Sequence, residues 1–242
     1  MPVETVLLYT LVPVLALILA AMIAVHLIPR NSVVSLFQHF AAGVVFAAVA
    51  VELLPVLKKT GDPLIMAAGF IIGVITMLLI GKFAEKLGMV IPIAVDLFVD
   101  GMLVAIGFAT GSEGGFILLI GLSMEAVSLG LSEAPSLIRK GFSKEKVIWL
   151  TIVLGVSLLC GSAFGNIVVG ISGHLIVGIL GFGVAALLYL VTEELLVEAH
   201  EVEDTPFITA MFSSVSFYRS FWAVSADRRS CSINSSGLRT FA

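Results

Sequence analysis

The sequence predicts an all-α, polytopic membrane helix bundle, and three observations support that prediction. Hydrophobic residues make up 59% of the 242 residues and charged residues only 12%, about half the charged fraction of an ordinary soluble domain. The mean hydropathy is +1.14. The apolar residues also form long blocks, as membrane-spanning helices require. These features exclude a soluble enzyme and a disordered chain, and the lack of a basic run excludes a nucleic-acid binder.

Seven apolar blocks are long enough to cross a bilayer, since a spanning helix needs about 20 mainly apolar residues. In chain order they cover approximately residues 5–28, 33–57, 63–81, 89–110, 116–138, 147–171 and 174–200. Short connectors containing proline, glycine or charged residues separate the blocks. We therefore expect residues 1–204 to form a single transmembrane domain.

The composition changes in the last part of the chain. Nine serines and four arginines lie between Ser213 and Ala242. An arginine at the centre of a span costs about 2.5–3.5 kcal/mol, so residues 206–226 are a poor candidate for an eighth span. We expect 205–242 to be a degenerate eighth-helix region with a serine- and arginine-rich tail. One hypothesis is a frameshift after about Phe212, which predicts an apolar run in another reading frame of the gene; two polar frames would contradict it.

Lysine and arginine predict the orientation of the bundle, because cytoplasmic loops carry an excess of both. If the amino terminus is outside, Lys58 and Lys59 lie in an outer loop. Seven basic residues then lie in cytoplasmic loops: Arg30, Lys82, Lys86, Arg139, Lys140, Lys144 and Lys146. We expect an external amino terminus in a multi-pass protein of a prokaryotic cytoplasmic (inner) membrane, since the loops are short and no targeting segment is evident.

Several ionisable residues lie within the apolar blocks, where they are costly and usually functional. They are Glu52, Asp96, Asp100, Glu125, Glu193 and Glu194, with His39 nearer a membrane edge. These carboxylates outnumber any basic partner within the spans. Two interpretations therefore stay open: protonated carboxyls hydrogen-bonded between helices, or carboxylates that hold a cation.

Depth favours a cation site between the fourth and fifth spans. Asp100 lies about 16 Å and Glu125 about 14 Å from the start of their spans, so both reach the middle of a core about 30 Å thick. Asp96 shares a helix face with Asp100, and Ser128 shares one with Glu125. Carboxylate and hydroxyl oxygens suit a divalent cation.

The remaining ionisable residues predict a pathway on either side of this centre. Glu52 lies near the outer mouth, and Glu193 and Glu194 lie near the inner mouth. His39 is either a packed residue or part of the inner half of the pathway. His200, in an acidic segment beyond the seventh block, belongs either to a solvated loop or to a weak landing site for cations.

Four stretches resemble the ZIP (zinc/iron-regulated transporter-like) family. They are His39–Gly43 running to Glu52-Leu-Leu-Pro55, Asp96–Gly101, Met124–Gly130, and Tyr189–His200. The resemblance implies eight spans in an inverted-repeat architecture and movement of divalent metal into the cytoplasm. It also implies a central site between spans four and five. The similarity of Val51-Glu52-Leu53-Leu54 to Glu193-Glu194-Leu195-Leu196, on oppositely directed spans, fits an inverted repeat.

The chain departs from the family pattern at its centre. Asp96 and Met124 stand where the family has histidines, Leu97 replaces an asparagine, and Ser128 replaces a glutamate. Loss of both histidines removes the nitrogen ligands that favour zinc. An oxygen-rich site favours manganese or iron(II), with Met124 as a soft contact. The predicted metal site therefore comprises Asp96, Asp100, Met124, Glu125 and Ser128.

The sequence favours a transporter or facilitator of zinc, iron(II), manganese or a similar cation, with no tightly bound cofactor. A non-transporting scaffold or metal sensor of the same fold is the alternative. An intramembrane enzyme is not expected, because no His-Glu-x-x-His motif is present and no histidine lies near the midplane. The expected partners are the lipid bilayer and the metal ion, and a homodimer is left open.

Overall fold

The computed structural model describes residues 2–55, 57, 62–87, 90–171, 173–195 and 197. Within these residues every element is helical, and seven helices are long and apolar enough to cross a membrane. They are α1 (Val3–Leu27), α2 (Asn31–Ala48), α3 (Pro63–Leu87), α4 (Val90–Thr110), α5 (Ser112–Arg139), α6 (Lys144–Val169) and α7 (Gly173–Tyr189). The predicted all-α membrane bundle is confirmed. The region 205–242 and the hypothesis about Phe212 lie outside the described residues.

Several helices begin or end beyond their predicted limits, and α3 and α6 show why. The prediction ends the third span at residue 81, but α3 continues to Leu87. The sixth span begins at Lys144 rather than 147, because the Ser143 side chain caps it by accepting a hydrogen bond from the Lys146 amide. In both places the prediction assigns charged residues to loops, although lysine and glutamate are good helix formers.

Two spans contain a π-helical turn that the sequence did not predict. The turn Val49–Leu53 follows α2, and the turn Leu190–Leu195 follows α7. Glu52 lies in the first turn, and Glu193 and Glu194 lie in the second. The turn Val49–Leu53 lies against α7, and the turn Leu190–Leu195 lies against α2. Each turn thus contacts the helix that precedes the other turn.

Glycines bring α4 and α6, and α1 and α5, into backbone contact. Gly161 and Gly165 of α6 lie against the carbonyls of Phe98 and Met102 on α4, and Gly130 of α5 lies against the Leu17 carbonyl of α1. Small residues allow this close approach in membranes. Each pair is parallel, and the α1–α5 pair runs opposite to the α4–α6 pair. Such an antiparallel relation between matched pairs is what an inverted repeat produces.

Polar contacts join these pairs into one four-helix group. Thr10 on α1 and Ser162 on α6 are buried, and their hydroxyl oxygens lie 2.9 Å apart. Ser157 on α6 donates a 2.6 Å hydrogen bond to the Ala94 carbonyl of α4. Helices α3 and α7 form a further pair, which packs through Gly69 and Gly178.

Candidate metal centre

Three carboxylates meet in the interior of the bundle. Ligand atoms of Asp96, Asp100 and Glu125 all lie within 4.8 Å of one another. Their side chains are 8%, 2% and 1% exposed, respectively. The structure therefore brings together, from two helices, the three carboxylates that depth and helical spacing predict to be neighbours.

The helix positions explain why these residues meet. Asp96 and Asp100 are one turn apart on α4, and α5 packs against that helix. Asp100 lies about 15 Å from the start of α4 and Glu125 about 21 Å from the end of α5. The start of α4 and the end of α5 lie at the same end of the bundle, because consecutive spans run in opposite directions. At these distances the carboxylates lie near the middle of both spans.

Buried apolar residues lie next to the carboxylates along both helices. Leu97, Ala126 and Leu129 belong to one buried hydrophobic cluster of the core. Leu122 and Val99 belong to another. These five residues come from the same stretches of α4 and α5 as the carboxylates, so the acidic groups adjoin two buried apolar clusters. Charge in such a place requires a counter-charge or a proton.

The geometry fits a single cation. Metal–oxygen distances are about 2.0–2.2 Å for small divalent ions and 2.3–2.6 Å for calcium, so oxygens of one coordination sphere lie at most about 4–5 Å apart. The 4.8 Å limit of the carboxylate cluster falls in that range. Three hard oxygen donors also match the preference of manganese, magnesium and calcium.

The two other predicted ligands have different environments. Ser128 lies one turn beyond Glu125, and its hydroxyl oxygen is buried with no hydrogen-bond partner in the described part of the chain. Such a hydroxyl beside a carboxylate is suited to complete a coordination sphere. Met124 is partly buried and packs against the hydrophobic core. Met124 thus packs with apolar side chains, whereas the three carboxylates cluster with one another.

Of the predicted pathway residues, the structure describes the surroundings of only two. His39 is buried on α2, and its Nδ1 lies 2.9 Å from the Ser35 carbonyl oxygen. A carbonyl only accepts, so Nδ1 carries the proton that His39 donates to Ser35. Glu193 is exposed. The side chains of Glu52 and Glu194, and the whole of His200, lie outside the described residues.

Sequence reasoning missed one acidic side chain within the spans. Glu133 on α5 is partly buried, and its Oε2 atom is inaccessible to solvent. The signal was available, because Glu133 lies eight residues after Glu125 and six before Arg139. That spacing places it inside the span rather than at its end.

Together these features define an integral, multi-pass membrane protein with a buried cluster of three carboxylates. A comparison with protein-family models gave no match to the chain, and a comparison with curated proteins gave none either. The function is therefore inferred from the fold and from the geometry of the carboxylate cluster.

Proposed function

We propose that this protein moves a divalent metal cation across the membrane, toward the cytoplasm, through the site formed by Asp96, Asp100 and Glu125. One observation supports the proposal above all others: three carboxylates from two helices meet in the buried interior of a membrane bundle. Ionisable groups at this depth are costly and usually mark an ion or substrate pathway. The ZIP-like stretches add support from the sequence.

The oxygen-rich site favours a hard cation, so we propose manganese or iron(II) ahead of zinc. Ser128 would supply a further oxygen, and Met124 would supply a soft contact after a change of rotamer. His39 would contribute to the inner half of the pathway, and Glu52 would guide entry near the outer mouth. Glu193, Glu194 and His200 would guide release. Catalysis is not part of the proposal.

Substitution of one central carboxylate tests the assignment. In vesicles containing the purified protein, Asp100→Asn should abolish most manganese uptake, because it removes one charged ligand and keeps the side-chain volume. Asp62→Asn is the matched control, since Asp62 is exposed at the start of α3. Equal uptake by both variants would refute the site. Manganese binding without uptake, even in the wild type, would favour the alternative of a metal sensor.

Acid pH should inhibit uptake in the same assay. Metal ligands must be deprotonated to bind, so protons compete with the cation for the carboxylate oxygens. The expected result is a rise in the manganese concentration needed for half-maximal uptake as the pH falls, with little change at saturating manganese. A maximal rate that falls while this concentration stays constant would contradict direct competition.

A further inference from the structure

A wide apolar groove lies between the α3–α7 pair and the helices α4 and α6. Its volume is about 560 Å³, within the range of roughly 300–1,000 Å³ that is usual for small-molecule sites. Apart from His174, every residue that lines it is apolar or glycine. The groove exists because Ala68 on α3 and Gly178 on α7 fill little of this space. A Cβ atom added to Gly178 would meet only Ile65, at 3.6 Å.

One face of α4 forms the floor of the groove. Phe98 and Met102 line it from α4, and Phe164 of α6 lies beside Phe98, with ring centroids 5.8 Å apart. Phe98 and Met102 each lie two residues from Asp100, which is about 200° around an α-helix. The groove therefore lies against the face of α4 that is opposite to the carboxylates Asp96 and Asp100.

The groove occupies one half of the membrane-spanning region. Its lining residues Ile65 and Ile72 lie about 3 Å and 14 Å from the start of α3. Leu175 and Phe182 lie at the same two distances from the start of α7, and His174 lies at the mouth. One leaflet supplies about 15 Å of a hydrocarbon core that is about 30 Å thick. The groove therefore has the length of an acyl chain in a single leaflet.

The groove is continuous with the lipid-facing surface of the spans. Ile72 and Phe164 line the groove and are exposed, and the exposed residues Ile71, Ile75 and Ile167 extend the same apolar surface along α3 and α6. The hydrocarbon core of a bilayer contains no water, and apolar cavities do not hold ordered water. Acyl chains are therefore the molecules that meet the open side of this groove.

We propose that the groove binds one acyl chain of a phospholipid from the leaflet at the end of the bundle where α3 and α7 begin. In the predicted orientation this is the outer leaflet. The chain lies between Ala68 and Gly178 and packs against Phe98 and Met102, with its headgroup at the level of His174. Since lipid tails are as apolar as leucine, close van der Waals packing holds the chain in place. The bound lipid thus supports the helix that carries two of the clustered carboxylates.

Photolabelling of the full-length protein tests the site. The probe is a phosphatidylcholine with a diazirine near the end of one acyl chain, present in phosphatidylcholine vesicles that contain the protein. After irradiation, mass spectrometry should find label on Phe182 and on Met102, although Met102 is only 6% exposed. Label on the lipid-facing Ile75 without label on either groove residue would overturn the proposal. In that case another occupant, such as a second copy of the chain or residues 205–242, fills the groove.

Two adjacent alanines provide a matched pair of variants. Ala67 and Ala68 are both exposed on α3, but of the two only Ala68 lines the groove. Ala68→Phe should fill the groove and abolish the label on Met102, whereas Ala67→Phe should retain it. Gly178→Leu blocks the groove from the opposite wall and should have the same effect as Ala68→Phe. Equal labelling of Met102 in the blocked variants and in Ala67→Phe would overturn the proposal. Because the labelling needs no metal, its result is independent of whether the protein takes up manganese.

Discussion

Gly101 follows Asp100 on α4 and lies against the backbone of α6. A Cβ atom added there would collide with the carbonyl oxygen of Leu158 and approach the Ser162 amide within 2.8 Å. Backbone atoms cannot yield as a flexible side chain does, so the two helices would have to separate. The position of Asp100 therefore depends on a neighbouring residue that itself contributes no ligand.

Gly101→Ala should destabilise the bundle by about 1–3 kcal/mol, the usual cost of overpacking, and should lower the affinity for Mn²⁺. Gly121→Ala is the matched control, because its added Cβ would meet Val44 at 3.5 Å, an ordinary contact. Thermal unfolding of the purified variants and Mn²⁺ titration measure both effects. Equal stability of the two variants would show that α4 and α6 can separate at Gly101 without cost.

At the residue scale, the sequence predicted the cluster better than its surroundings. Asp100 and Glu125 could be placed at one depth because helix rise is constant. The burial of the cluster could not be predicted, since residues such as Leu97 and Leu129 pack against residues distant in the chain. Glu133 itself could have been found from its place inside the fifth span, but the small cavity beside it could not, because that cavity forms only when α1 and α6 pack against α5.

At the scale of elements, the two π-helical turns are the main departure from the sequence prediction. A π-turn contains one residue more than an α-helical turn, and such turns often occur at functional sites. Both turns of this chain contain glutamate, and they follow helices of opposite direction. Apolar periodicity did not reveal them, because the inserted residue changes the helix locally and leaves the apolar composition intact.

Deletion of Ala50 tests the turn Val49–Leu53. Because a π-turn absorbs one extra residue, removing that residue should restore an α-helix and keep Leu53 and Leu57, each 3% exposed, facing the core. We expect folded protein with reduced manganese uptake. Deletion of Ala42, in the regular part of α2, should instead rotate the following residues by about 100° and prevent folding. Gel filtration and thermal unfolding distinguish the two; equal loss of folded protein would contradict the interpretation.

At the scale of the whole molecule, the charged residues lie at the two ends of the bundle. Consecutive spans run in opposite directions, so successive connectors lie at alternate ends. Exposed Arg30, Lys82, Arg139, Lys144 and Lys146 lie at one end. Exposed Glu4, Asp62 and Glu113 lie at the other. The seven apolar blocks were enough to predict this division, because each crossing reverses the chain. Which helices pair could not be predicted, since glycine contacts such as Gly130 with α1 depend on the three-dimensional arrangement.

Labelling from outside the cell tests the orientation of this charge asymmetry. Glu113 and Glu145 are exposed glutamates near opposite ends of the bundle, so Glu113→Cys and Glu145→Cys form a matched pair in a chain whose native cysteines are replaced by serine. Basic residues favour the cytoplasmic side. An impermeant maleimide should therefore label the first variant on intact cells and the second only after permeabilisation. The reverse pattern would contradict the predicted orientation and place the basic end of the bundle outside.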